Sequence, residues 1–260
     1  MRLAVLPSRR ASAAENMAID FLMLQRYPDS DVARFRHYGW HRPAWTFGYS
    51  QKIAFVREQL STAEPGEQCR RPTGGGIVDH REDWTYALVI PRGHALEEQR
   101  ATESYRAIHE CLAAALQAQG VNAAIKPCAS AKCATTDALS FSSRPQKKNP
   151  DRSAGAEAAV EGVCFQRAEV FDVVHAGTGE KIAGAAQKRN KHGLLFQGSI
   201  WRPAIDATDF DWESFEQAFS QRLAAALQTE AVATPWPEFN EDEVSALVEQ
   251  YSTLDWIELR

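Results

Sequence analysis

The chain has 260 residues, 44% of them hydrophobic, with 29 Lys and Arg against 34 Asp and Glu for a net charge of −5. That is enough apolar material for one substantial core, and it leaves no global positive field for nucleic acid, so an anionic partner has to meet a local patch. No uninterrupted apolar span reaches the ~18 residues of a membrane helix, and the run after Arg2 is too short for a secretory signal, so a cytoplasmic protein that meets no membrane is expected.

Ser12 and Glu15 read as a capping box ahead of a helix from about Ala13 to Arg26, with Met17, Phe21 and Leu24 at helical spacing. The segments "VARFRHYGW" and "AWTFGYSQ" are aromatic and β-branched and are bounded by Gly and Pro, which predicts short strands, the second a pocket wall. "TYALVIP" predicts a buried strand ending at Pro91. "ATESYRAIHECLAAALQAQG" predicts a helix with Tyr105, Ile108, Leu112 and Leu116 on one face and Gly120 as its stop. From Cys128 to Gly162 the composition turns to Ala, Ser, Lys, Pro and Asn, and a mobile loop is expected over 128–162. "VCFQRAEVFDVVHAGTGEKIAGAAQKR" and "GLLFQGSIW" predict antiparallel strands, and helices return with the stripe Phe215, Phe219, Leu223 and Leu227 and with "NEDEVSALVEQYS". Strands flanked by helices, with no repeat and no evident linker, predict one α+β domain over residues 1–260.

The stretch "RRPTGGGIVDH" carries the chemistry. Gly74, Gly75 and Gly76 open backbone conformations closed to other residues and let main-chain amides approach a ligand. Arg70 and Arg71 offer planar forks suited to a phosphate or carboxylate. A plain tight turn with solvated arginines is the competing reading. The loop is not a Walker loop, and "GTGEKIAG" at 177–184 misses the dinucleotide fingerprint because Ile182 takes the last glycine position. His80 reads equally as a ligand to a phosphate or carbonyl and as a packed polar side chain. Lys181 reads as a solvated turn lysine or, given the small "IAGAAQ" that follows, as a residue beside a strand whose backbone lies against a ligand, at Gly184 and Ala185.

Five cysteines, Cys69, Cys111, Cys128, Cys133 and Cys164, are an odd number with no CxxC pair. They predict reduced thiols rather than a disulfide framework, and no metal site is expected from them. For any single one of them, burial as a small apolar residue is the common fate.

In order along the chain, "ENMAID", "TFGYSQ", "RRPTGGGIVDH" and "KIAGAAQKR...LLFQGSI" resemble the motifs of the lipoate-protein ligase and octanoyltransferase family, over about Glu15 to Trp201, and "EQYSTLDW" is similar to that family's terminal segment. The resemblance implies a biotin and lipoate ligase-type α+β catalytic domain with mixed, mostly antiparallel sheets flanked by helices. Two chemistries are implied. One is an octanoyltransferase without a cofactor, which takes octanoate from acyl carrier protein onto a cysteine and delivers it to a lysine of a lipoyl domain of 2-oxoacid dehydrogenases or of glycine cleavage H protein. The other is a ligase that activates lipoate with ATP and Mg. The resemblance places Cys164, in "GVCF", as the transferase nucleophile and Lys181 as the group that lowers its pKa and meets the acyl carbonyl. It makes Arg70, Arg71, Thr73, Gly74, Gly75, Gly76, His80, Gly184 and Ala185 substrate-binding. "GGG" is the ligase spelling of the loop, whereas "RRPT", "WTYALVIP" and the absence of a ligase accessory domain after Trp201 favour the transferase.

Overall fold

In the computed structural model, which describes residues 1–26, 31–63, 65–128 and 167–259, Ser12 Oγ accepts the Glu15 amide and starts helix α1 at Ala13–Gln25. Cys133 and Cys164 lie outside the described residues, as does nearly all of the 128–162 segment. Before α1 runs a strand, β1 (Arg2–Ala11), of which the sequence shows only a short apolar run after Arg2. Its register shifts between Leu6 and Arg9, where Pro7 has no amide to give, so its apolar alternation is interrupted.

β2 (Val32–Trp40) and β3 (Ala44–Phe47) follow as expected, then α2 (Ile53–Gln59), β4 (Glu67–Arg70), β5 (Ile77–Asp79) and β6 (Asp83–Pro91), the last buried along its whole length. A short α3 (Ala95–Glu98) leads to α4 (Ala101–Ala118), which stops before Gly120 at φ +83°. β7 (Ala123–Ile125), β8 (Val173–His175), β9 (Lys181–Asn190) and β10 (Gly193–Trp201) complete the central strands. The chain then runs through α5 (Trp212–Ala226), β11 (Ala231–Ala233), α6 (Glu241–Ser252) and α7 (Leu254–Ile257).

The strands form an eight-stranded sheet in the order β11-β1-β2-β6-β10-β9-β8-β7 and a three-stranded sheet in the order β4-β3-β5. Pairing is mostly antiparallel, with β1 parallel to both β2 and β11 and β3 parallel to β4. On one face of the large sheet, Phe35, Trp84 and Tyr86 meet Phe215 and Phe219 of α5, with Ile108, Leu112 and Leu116 of α4 in the same core. On the other face Met17, Ala18, Met23 and Leu24 of α1 pack with Val89, Leu195 and Tyr251 of α6. The small sheet has its own core of Trp45, Phe47, Val56 and Ile77. Because every strand of the sheet's centre is buried on both faces, polar side chains there must be paired, and those pairs lie around the cleft between the two sheets.

Candidate active site

Strands β2, β6, β9 and β10 of the large sheet, β3 and β5 of the small one, and α1 enclose a cleft of about 490 Å³, counted with its open mouth. Met17, Tyr38, Trp40, Val78 and Ala186 give it apolar surface, and Arg71 and Lys181 are the cations among its lining residues.

Lys181 opens β9. Its Nζ lies 2.8 Å from Asp172 Oδ2, and both side chains are nearly inaccessible. Asp172 also accepts the Tyr105 hydroxyl at 2.5 Å and the Glu169 amide at 2.7 Å. Tyr105 in turn accepts the Ala185 amide at 3.1 Å, which ties α4 to β9. Burial, then the Asp172 charge, pushes the Tyr105 phenol well above its ordinary pKa, so it stays a donor to the carboxylate. A Cβ at position 184 would fall 2.7 Å from Lys181 Cε and Nζ and 3.0 Å from Asp172 Oδ1. Gly184 thus leaves the room in which the ion pair sits.

The glycine loop is organised from within. Arg71 Nη2 donates to the carbonyls of Gly74 at 2.9 Å and Gly76 at 2.8 Å, and Nη1 donates to Thr46 Oγ1 at 2.7 Å. Gly75 has φ +90°, and Gly48 of "TFGY" approaches so closely that a Cβ there would meet the Gly75 carbonyl oxygen at 2.1 Å. Here glycine is needed both for the left-handed backbone and for the close approach.

His80 is held on both ring nitrogens, Nδ1 to Asp83 Oδ2 at 2.7 Å and Nε2 to Thr46 Oγ1 at 2.6 Å, with the Trp40 ring stacked on it at 4.0 Å. A carboxylate at Asp83 can only accept, so Nδ1 donates to it, and Nε2 shares the second bond with Thr46 Oγ1, which also accepts from Arg71. Ser199 and Thr85 also donate to Asp83 Oδ2, at 2.5 and 2.8 Å. At the cleft's inner end, Thr73 donates to Gln197 Oε1 at 2.7 Å, and Gln197 donates to Asp20 Oδ2 at 2.7 Å. Asp20 pairs with Arg36 at 2.7 Å, and Arg36 also reaches Asn16. "ENMAID" is therefore a helix turn that places Asn16 and Asp20 on one buried face.

Of the residues predicted from sequence, Arg71, Gly75, His80, Lys181, Gly184 and Ala185 line the cleft. Thr73, Gly74 and Gly76 stand just behind it, bonded to Gln197 or Arg71. Arg70 is placed away from the cleft lining. It is fully buried, and its guanidinium donates to the carbonyls of Gly48, Tyr49, Gln51, Trp256 and Ile257, so it ties the C-terminal turn to the loop after β3 and presents no fork to a ligand. His80 likewise offers the cleft its ring rather than a hydrogen bond. Cys164 lies outside the described residues. Among the described cysteines, burial pushes the Cys69 thiol up to about 12 and the Cys111 thiol up to about 11, so neither is a thiolate near neutral pH.

Asp172, Tyr105, Thr46, Asp83, Gln197 and Ser199 are not legible as site residues from sequence, Tyr105 reading only as part of a helix face. Asp172 carried a signal, a lone carboxylate between apolar residues in "VFDVV"; the others are ordinary polar residues in strands or a helix.

An α+β fold with a large, mostly antiparallel sheet flanked by helices is the fold of the lipoate ligases. A bi-partite lipoate protein ligase from Thermoplasma acidophilum superposes with a TM-score of 0.66 at 16% identity, covering 100% of this chain and 98% of that one. A lipoate-protein ligase A bound with ATP gives 0.65 at 17% identity, covering 100% of both chains. The chain belongs to the family described as "Lipoyl protein ligase A/B catalytic domain", whose sequence model matches residues 12–232. Octanoyltransferase LipM of Anoxybacillus flavithermus is 30% identical over 195 residues, 74% of this chain and 63% of that protein. Octanoyltransferase LipM of Bacillus subtilis is 26% identical over 254 residues, 95% of this chain and 79% of that protein. The chain thus spans less than two thirds of the length of the first of these relatives. No helix among the described residues is long and apolar enough to cross a membrane.

Proposed function

We propose that the protein is an octanoyltransferase of protein lipoylation. The Cys164 thiolate attacks the thioester carbonyl of octanoyl acyl carrier protein, the carrier thiol leaves, and octanoyl is held on Cys164 as a thioester. The amine of a lysine on a lipoyl domain of a 2-oxoacid dehydrogenase, or on a glycine cleavage H protein, then attacks that thioester. An amide forms, the cysteine thiolate leaves, and the amine's extra proton passes to base. No cofactor is needed.

The observation that carries this reading is the Lys181 ammonium, held by Asp172 at the wall of an apolar cleft next to Gly184 and Ala185. An ammonium there favours a thiolate and meets negative charge on the acyl oxygen as it develops. The arginines that a nucleotide phosphate would require donate instead to main-chain carbonyls and Thr46. Relatives named Octanoyltransferase LipM support the same reading. Burying an eight-carbon chain contributes on the order of 5 kcal/mol at about 0.8 kcal/mol per methylene, enough to prefer octanoyl over acetyl.

The test is intact mass of the wild type and of Cys164→Ser after incubation with octanoyl acyl carrier protein without ATP. An octanoyl increment on the wild type alone is expected. If neither gains mass, while octanoate or lipoate with ATP and Mg gives AMP and a modified acceptor, the protein is a ligase and the proposal fails.

A further inference from the structure

Strand β9 begins at Lys181 in the cleft and ends in a tight hairpin whose sequence is "QKRNKHG", basic at Lys188, Arg189, Lys191 and His192 with no acid among them. Asn190 pairs with Gly193, so Lys191 and His192 form the hairpin tip. Arg92, just after β6, donates to the Lys191 carbonyl and joins the same edge, as does Arg100 at the start of α4. A shallow groove between them contains Arg92, Arg100, Arg189 and Lys191 with Glu97 and Glu98.

This is local positive charge on a chain of net charge −5. Among the described residues, Arg92, Lys188, Arg189 and Lys191 have no carboxylate within salt-bridge distance, and the Arg189 Nε is buried without a partner. The ridge also starts at the cleft's mouth. Gly75 faces Ala186 across it, Gln51 holds the Gly75 carbonyl at 3.1 Å, and the Lys188 ammonium lies over the Tyr49 ring at 5.8 Å. From Ala186 to Lys191 an extended strand covers about 16 Å at ~3.3 Å per residue. A second basic groove, with Arg10, Arg42, Arg81 and Arg202, adjoins the cleft at Tyr38, Trp40 and His80 and does not include Lys181.

We propose that the β9–β10 hairpin ridge of Lys188, Arg189 and Lys191, with Arg92 and Arg100, is the docking surface for an acidic acyl-carrier protein. It rests on the acyl-transfer reading of the cleft. The protein body docks on the ridge, and the flexible arm that bears the acyl group runs along β9 past Ala186 to Lys181. Clustered cations beside a cleft raise the rate of encounter with an acidic partner and orient it, and that contribution is screened by salt.

The experiment is calorimetric titration of octanoyl acyl carrier protein into wild type, Lys188→Glu/Lys191→Glu and the control Arg42→Glu, with transfer from the carrier and from octanoyl-CoA followed in parallel. The ridge reversal is expected to weaken carrier binding by about tenfold or more and to raise the carrier KM equally, leaving octanoyl-CoA turnover and the thermal midpoint unchanged. Arg42→Glu is expected to leave carrier binding near the wild-type value. The milder Lys188→Ala/Lys191→Ala pair serves if the reversal does not fold. Equal carrier affinity for wild type and ridge variant, an equal loss in Arg42→Glu, or no carrier binding by the wild type overturns the docking site. Binding without any acyl transfer from either donor leaves the docking result standing on its affinities and removes the transferase reading instead.

Discussion

Lys181 Nζ sits 2.8 Å from Asp172 Oδ2, in a space where the Cβ of any residue other than glycine at position 184 would approach the lysine to 2.7 Å. The lysine end is the movable partner, so Gly184→Ala is expected to push it out of line rather than to unfold β9. Acyl transfer should fall roughly 10- to 100-fold, the usual cost of misplacing a reacting group by about an ångström, with little change in the thermal midpoint. A variant of normal kcat would show that Lys181 does not act from the position seen here.

The ion pair is also structural. Asp172→Asn leaves the Lys181 charge buried without its counter-charge, a change that typically costs about 3–5 kcal/mol. Denaturant unfolding should register most of that, and transfer should fall with it. Tyr105→Phe removes one hydrogen bond to Asp172 and the acceptor for the Ala185 amide while keeping the ion pair. About 1–2 kcal/mol of stability should go, with a smaller kinetic loss than in Asp172→Asn. The reverse ranking would mean that the phenol, not the carboxylate, positions the lysine.

The elements that sequence made legible are those with strong periodicity and clear ends. α1, α4 and α5 have capping residues or a glycine stop and an apolar stripe, and β6 and β10 are mostly apolar segments bounded by turn residues. β1 escaped notice because Pro7 and two exposed arginines break its pattern, and its place in the sheet is decided by partners distant in sequence, β2 and β11. The glycine loop and Lys181 were visible as local motifs, and both line the cleft. Their partners were not, because Asp172, Tyr105 and Thr46 acquire a role only when separate elements meet. Arg70 and Arg71 show the limit most sharply. As neighbours on an extended segment they point opposite ways, one toward the cleft and one toward the C-terminal turn, and a shared side-chain chemistry says nothing about which is which.

That division predicts different outcomes for the two arginines. Arg70→Lys keeps the charge but cannot reproduce a planar fork donating to carbonyls of Gly48, Tyr49, Gln51, Trp256 and Ile257. Several part-buried acceptors lose their donor at about 1 kcal/mol each, so the variant should be destabilised, with α7 the first segment cut by protease. Arg71→Lys should instead keep most of the stability and lose transfer activity, since the carbonyls of Gly74 and Gly76 would no longer be gathered at one point. Equal stability losses in both would contradict the separate roles.

Two histidines, His109 fully buried and His37 partly so, set a pH dependence of stability. Burial lowers His109 to about 4, only partly offset by Asp172 and by the bond from its ring to the Phe171 carbonyl. His37, stacked on Trp84, is also lowered to about 4 by burial. Above pH ~6.5 both rings are neutral whether the chain is folded or not. As pH falls from about 6.5 to 4 the unfolded chain takes up these protons first, so the folded state loses stability through that window and no further from these groups below it. The loss is on the order of 2–3 kcal/mol for each histidine. Unfolding free energies at closely spaced pH values should therefore decline between pH 6.5 and 5, before ordinary carboxylates titrate, and His109→Gln should reduce that slope by about half whatever its own stability at pH 7.5. A flat profile over this range would mean that the folded protein opens readily enough to protonate both rings in place.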